Sequence, residues 1–118
     1  MTSSSECQNS SDTSRIVYVT CPNEEVAKRL SRGLLVQKLV ACVNIIPSVT
    51  SLYLWGDGIE ESTEHLMMIK TEQKHVMELT NYVNQNHVYE VPEVISVKID
   101  GGSEKYIDWI RKSVKPLQ

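Results

Sequence analysis

Two long strand-like arms, Ala41 to Trp55 and Ile59 to Thr71, meet at the tight turn Gly56-Asp57-Gly58. The first alternates apolar and polar residues and the second closes with Leu66-Met67-Met68-Ile69, so together they predict a β-hairpin with arms of about 15 and 13 residues. At about 3.3 Å per residue the first arm spans on the order of 50 Å, whereas a domain of about 100 residues has a radius of gyration of about 13 Å and a diameter of roughly 35 Å. Part of the hairpin must bend or protrude. Pro47 interrupts the first arm, and a continuous central ladder does not accept proline, so a bulge or bend is expected there. The far end carries Leu52, Tyr53, Leu54 and Trp55, apolar residues on open strand edges, a surface that pairs with another chain more readily than it stays in water. The expectation is an oligomer built by sheet extension. The competing expectation is a strand kinked at Pro47 that folds back on its own domain.

Around the hairpin the periodicities are clear. Ile16-Val17-Tyr18-Val19-Thr20 predicts a buried first strand, and Pro22 ends it. Val26, Leu30 and Leu34 then recur at helical spacing behind Glu24 and Glu25, which suit a first turn, so a helix is expected from about Asn23 to Lys38, with Gly33 marking close packing. After the hairpin, Val76, Leu79 and Val83 share one face of a second helix, and Val94 to Ile99 predict a fourth strand with Ile95, Val97 and Ile99 on one face. Gly101-Gly102 breaks that strand. Ser103 caps a last helix with Ile107, Ile110 and Val114 on one face, and Pro116 ends it. The order predicts an α+β, ferredoxin-like βαββαβ domain over residues 15–118, with helices packed on one face of an antiparallel sheet, an additional C-terminal helix and a long hairpin between the second and third strands. Residues 1–14, MTSSSECQNSSDTS, are polar and acidic and predict a disordered N-terminal arm, with no signal or transit pattern.

Composition excludes several classes. The 118 residues carry a net charge of -3 and a pI near 5.6, so there is no excess positive field for phosphate backbones or anionic lipid. An RNA-recognition domain shares the strand and helix order, but Glu64 to Ile69 on the third strand offers none of the aromatic platform it needs. No nucleic acid partner is expected, and no apolar run approaches the roughly 20 residues of a membrane span. Cys7, Cys21 and Cys42 are odd in number and lack CxxC spacing, which predicts neither a disulfide framework nor a thiolate zinc site, but a reducing, cytoplasmic setting.

One short stretch carries chemistry. His87-Val-Tyr-Glu-Val-Pro-Glu93 places an imidazole and two carboxylates within one loop. His87, Glu90 and Glu93 offer one nitrogen and two oxygens, and Cys42 can add a thiolate, a set suited to Cu(II) or Zn(II) more than to magnesium. The spacing is not diagnostic. In the alternative, His87 caps a helix end, both glutamates are solvated and Cys42 is a buried small hydrophobe. On an extended backbone Glu90 and Glu93 point to opposite sides. His65 and His75 read as surface or packing residues, and Cys21 ahead of a helix N-terminus gives only weak support for reactivity. No nucleophile with its base is specified, so no enzymatic activity is assigned.

Val19-Thr20-Cys21-Pro22-Asn23-Glu24, Ala41-Cys42-Val43-Asn44-Ile45-Ile46-Pro47, Ser51-Leu52-Tyr53-Leu54-Trp55, Met68-Ile69-Lys70-Thr71 and Tyr89-Glu90-Val91-Pro92-Glu93 resemble the CutA family of divalent-cation tolerance proteins, and animal members in particular. The resemblance covers about residues 15 to 113. It implies a ferredoxin-like protomer in a homotrimer whose long hairpins pair between subunits, a link to copper or other divalent metals, and a protein-partner role in assembling or anchoring acetylcholinesterase. It also implies Cys42, His87 and Glu93 as metal positions. Two departures are visible: Val88 stands where proline is usual, and the hairpin turn is Gly-Asp-Gly where a lysine is common. A PII-like sensor of small anions is the alternative small-molecule reading, although only Gly101-Gly102 hints at a phosphate loop.

Overall fold

The computed structural model describes residues 13–117. Its elements are β1 (Ser14–Cys21), α1 (Glu24–Val36), β2 (Cys42–Trp55), β3 (Gly58–Glu72), a 3-10 turn (Gln73–His75), α2 (Val76–Asn86), β4 (Ile95–Lys98) and α3 (Glu104–Ser113). The strands form one antiparallel sheet in the order β2-β3-β1-β4, the ferredoxin-like order expected of two split βαβ units. Most of the expected N-terminal arm lies outside the described residues. The ordered fold begins at its end: Ser14 is fully buried in β1, and the hydroxyls of Thr13 and Ser14 donate to the buried carboxylate of Glu72 at 3.0 Å each.

Alternation on the strands sorts the two faces. Val17, Val19 and Cys21 of β1 and Met67 and Ile69 of β3 face α1 and α2, where they close a core with Ala27, Leu30, Leu34, Leu79 and Val83. The capping follows the sequence. Asn23 Oδ1 accepts the Val26 N–H at 2.9 Å at the start of α1, and Ser103 Oγ accepts the Tyr106 N–H at the start of α3. Gly33 allows α1 and α2 to approach, because a Cβ there would stand 1.8 Å from the Tyr82 hydroxyl oxygen.

The third helix departs from the one-sided layering. Tyr106 lies against Cys42, and Cys42 points away from the face that its neighbour Val43 shares with the core. So α3 covers the opposite face of the sheet, burying Ile107 and Ile110. The tail returns around the sheet end: Lys115 N–H donates to Lys38 O at 2.9 Å, and the fully buried His75 contacts Lys115 O through Nε2 at 2.6 Å. His75 is therefore a packing residue. Ile95 and Val97 pair with Tyr18 and Ile16 on the α3 side and remain exposed.

The hairpin does protrude. The described residues measure 55 × 28 × 23 Å, with a radius of gyration of 15.8 Å. Pairing runs unbroken from Trp55↔Gly58 down to Val49↔Glu64, skips, and resumes at Ile46↔Leu66. Pro47 and Ser48 thus oppose the single residue His65, a bulge at the proline, with Ser48 in the left-handed region at φ 61°. The extra residue shifts the phase of β2. Beyond it Val49, Ser51 and Tyr53 share a face with Glu64, Ser62 and Glu60.

Candidate functional site

The loop after α2 is aimed by His87. Its backbone N–H closes the helix on Val83 O at 2.8 Å. Its ring turns to the sheet, where Nε2–H donates to Thr20 O at 2.8 Å and Nδ1 accepts the Tyr89 N–H at 2.9 Å. A carbonyl only accepts and an amide N–H only donates, so the ring proton sits on Nε2. Neither ring nitrogen keeps a lone pair for a metal while these bonds stand.

Tyr89 carries the loop on to the hairpin. Its hydroxyl donates to Glu64 Oε2 at 2.7 Å, a charge-assisted bond to a carboxylate that is only 8% exposed. Burial, and next the bond to Glu64, hold the Tyr89 hydroxyl well above the usual phenol range. The Tyr89 ring also leans on His87, with centroids 4.7 Å apart.

Between this loop and the bulge-shifted face of the hairpin lies a cleft of about 1080 Å³. Glu60, Glu64, Glu90 and Glu93 line it, with the hydroxyls of Tyr53 and Ser62 joined at 2.9 Å and no basic side chain among the described lining residues. The loop bends over residues 88–91, so Glu90 and Glu93 both line the cleft where an extended backbone would have parted them. Its character is acidic and oxygen-rich.

The three expected metal positions are not brought together within one chain. Glu93 lines the cleft and His87 supports the cleft's loop. Cys42 lies at the far end of β2, paired with Lys70 beyond the bulge. There it contacts the Tyr106 hydroxyl, which burial first and the thiol next push upward. Among the described residues, no three His, Cys, Asp or Glu side chains are placed to hold one ion. Glu60, Glu64 and Tyr89 were not singled out from the sequence as site residues. The signal was there in part, since Glu60, Ser62 and Glu64 recur at the strand period.

Comparison with known proteins gives a consistent result. The family model described as CutA1 divalent ion tolerance protein matches residues 15–113. The chain is 54% identical over 93 residues to a Protein CutA homolog of Xenopus laevis, covering 79% of this chain and 62% of the frog protein. It is 48% identical over 95 residues to Protein CutA of Homo sapiens, covering 80% of this chain and 53% of the human protein. It therefore spans less than two thirds of the length of these relatives. The crystal structure of CutA1 from Oryza sativa superposes with a TM-score of 0.87 at 42% identity, over 91% of this chain and 98% of the rice chain.

Proposed function

The chain belongs to the CutA1 divalent ion tolerance family, and from that premise we propose that it is a non-enzymatic homotrimer that takes up a divalent metal ion weakly in the cleft between hairpin and loop. The observation that carries this reading is the cleft wall, where four carboxylates face one concavity with no basic counterpart among the described lining residues. Such a wall concentrates cations and supplies oxygen donors.

The donor chemistry sets the strength. Cu(II) and Zn(II) are held tightly by imidazole and thiolate, but His87 is spent on Thr20 and Tyr89 and Cys42 lies against Tyr106. In this reading Glu90 and Glu93 are the ligands with water completing the shell, Glu64 holds the wall through Tyr89, and His87 positions the loop. The metal's contribution is charge for carboxylates to gather around. The chain's contribution is to keep the loop and the hairpin at a fixed spacing.

Homotrimer assembly draws on a second observation. Leu54, Trp55 and Ile59 at the hairpin tip are 82, 70 and 72% exposed, and β2 and β4 are the outer strands of the sheet among the described residues. An outer strand on each side of the sheet suits head-to-tail sheet extension that closes into a ring.

Calorimetric titration with Cu(II) and with Zn(II) tests the cleft. Wild type should bind about one ion per chain at micromolar or weaker affinity, and a Glu90→Gln/Glu93→Gln variant should lose most of the heat. Equal isotherms for the two proteins would remove the cleft from consideration.

A further inference from the structure

On the opposite face of the sheet from the acidic cleft, the structure assigns a second, softer metal site to Cys21, Met67 and His65, suited to a monovalent d10 cation such as Cu(I) or Ag(I). Three observations meet there. The Cys21 thiol stands 3.5 Å from Met67 Sδ, both fully buried. His65 is the direct cross-strand partner of Cys21, and being two residues from Met67 it points to the same face. Its Nδ1 is buried with no hydrogen-bond partner among the described residues.

An orphaned buried nitrogen is costly in a native fold and calls for a physical account. The bulge at Pro47 and Ser48 sits directly opposite His65, which holds this part of β3 away from a regular ladder on its β2 side. The regular pairing of β1 with β3 gathers one thiol, one thioether and one imidazole nitrogen on adjacent strands. Thiolate and thioether sulfur suit soft metals, Cu(I) among them along with zinc and iron–sulfur centres. With metal–sulfur bonds of about 2.3 Å, one ion at a tetrahedral angle bridges sulfurs about 3.8 Å apart, so the observed pair needs to open by only a few tenths of an ångström.

Charge also suits a monovalent ion. On ligation Cys21 gives its thiol proton to solvent, Met67 Sδ and His65 Nδ1 donate lone pairs, and the buried unit of thiolate and monovalent cation is neutral. A divalent ion there would leave a net buried charge, which is expensive. In the free protein the thiol stays protonated, since burial, with Glu64 adding to it, pushes Cys21 up to about 11. Access runs past His65, which is only partly buried and lies near the first turn of α1, where it acts on the Glu24 carboxylate.

The test uses the full-length reduced chain under anaerobic conditions, with Cu(I) delivered as its acetonitrile complex against a bicinchoninate competitor, and Ag(I) calorimetry as a redox-inert repeat. Wild type should bind one Cu(I) per chain with a thiolate-to-metal band in the near ultraviolet. A Cys7→Ser/Cys42→Ser variant should keep both the stoichiometry and the band. Met67→Leu, close in volume, and His65→Val should each weaken Cu(I) at least about tenfold, the scale that even outer-shell partners of a metal carry. Cys21→Ser should abolish the band; if that variant does not fold, the Met67 and His65 variants decide alone. Affinity unchanged in both of those variants, or loss of the band in the Cys7/Cys42 variant, overturns the assignment.

Discussion

Tyr89 is the residue on which the cleft's shape turns. Its hydroxyl ties a loop to a carboxylate 25 positions away, and Glu64 has too little contact with water to replace that donor. Tyr89→Phe should cost about 1.5–3 kcal/mol, the range for a hydrogen bond to a charged group. Glu64→Gln, which keeps an acceptor for the hydroxyl, should cost less. Urea midpoints for the two variants check the order; a Tyr89→Phe midpoint equal to wild type would mean the strut bears no load. His87 acts at the same scale but through the backbone. Removing its ring strands the Thr20 carbonyl and the Tyr89 amide together, so His87→Ala should lower stability by more than it lowers Zn(II) affinity.

At the scale of elements, the α1–α2 contact depends on a missing side chain. Alanine at Gly33 would gain about 1 kcal/mol of helix propensity. Its Cβ, however, would fall 1.8 Å from the Tyr82 hydroxyl oxygen and 2.8 Å from the ring carbon bearing it, and overpacking of this kind costs about 1–3 kcal/mol. Gly33→Ala should therefore lower the melting temperature. In a Tyr82→Ala background the same change should raise it, because only the propensity gain remains. Thermal melts of the four proteins in this double-mutant cycle measure the coupling directly. Additive effects would show that Tyr82 swings aside freely. The hairpin shows a similar dependence on one local feature: without the bulge at Pro47 and Ser48, Ser51 and Tyr53 would turn to the other face and the cleft would lose one wall.

The whole molecule is elongated because its hairpin extends past the body that could cover it. Leu52 and Leu54 lie on one face of the tip and Tyr53 and Trp55 on the other, so β2 presents apolar side chains to both faces there, as expected of a strand buried on both faces in an assembly. Sedimentation at micromolar concentration should give one species near three times the 13.4 kDa chain mass. A Leu52→Asp/Leu54→Asp variant should sediment as a monomer while keeping its far-ultraviolet circular dichroism. A monomeric wild type would sink the trimer. Deletion of residues 1–12 should leave the mass ratio intact. Deletion through Ser14 should destabilise the fold, since it strips the Glu72 carboxylate of two hydroxyl donors.

The sequence by itself determined the order of elements, the protruding hairpin and the irregularity at Pro47. Each of these follows from short-range causes: side-chain period, turn and cap chemistry, and the missing proline N–H. It also pointed to the loop 87–93, because the residue types there are chemically rare together. Tertiary structure decided what those residues do. His87 and Tyr89 are neighbours in the chain, yet Thr20 and Glu64 spend their polar atoms, and no local rule names partners 67 and 25 positions away. The bulge was legible but its consequence was not, since which face carries Ser51 and Tyr53 depends on how many residues the bulge adds, and that is set by the register of β2 on β3. A separate register, that of β1 on β3, puts the sulfurs of Cys21 and Met67 beside each other, 46 positions apart. Long-range pairing fixes side-chain direction, and side-chain direction makes a site.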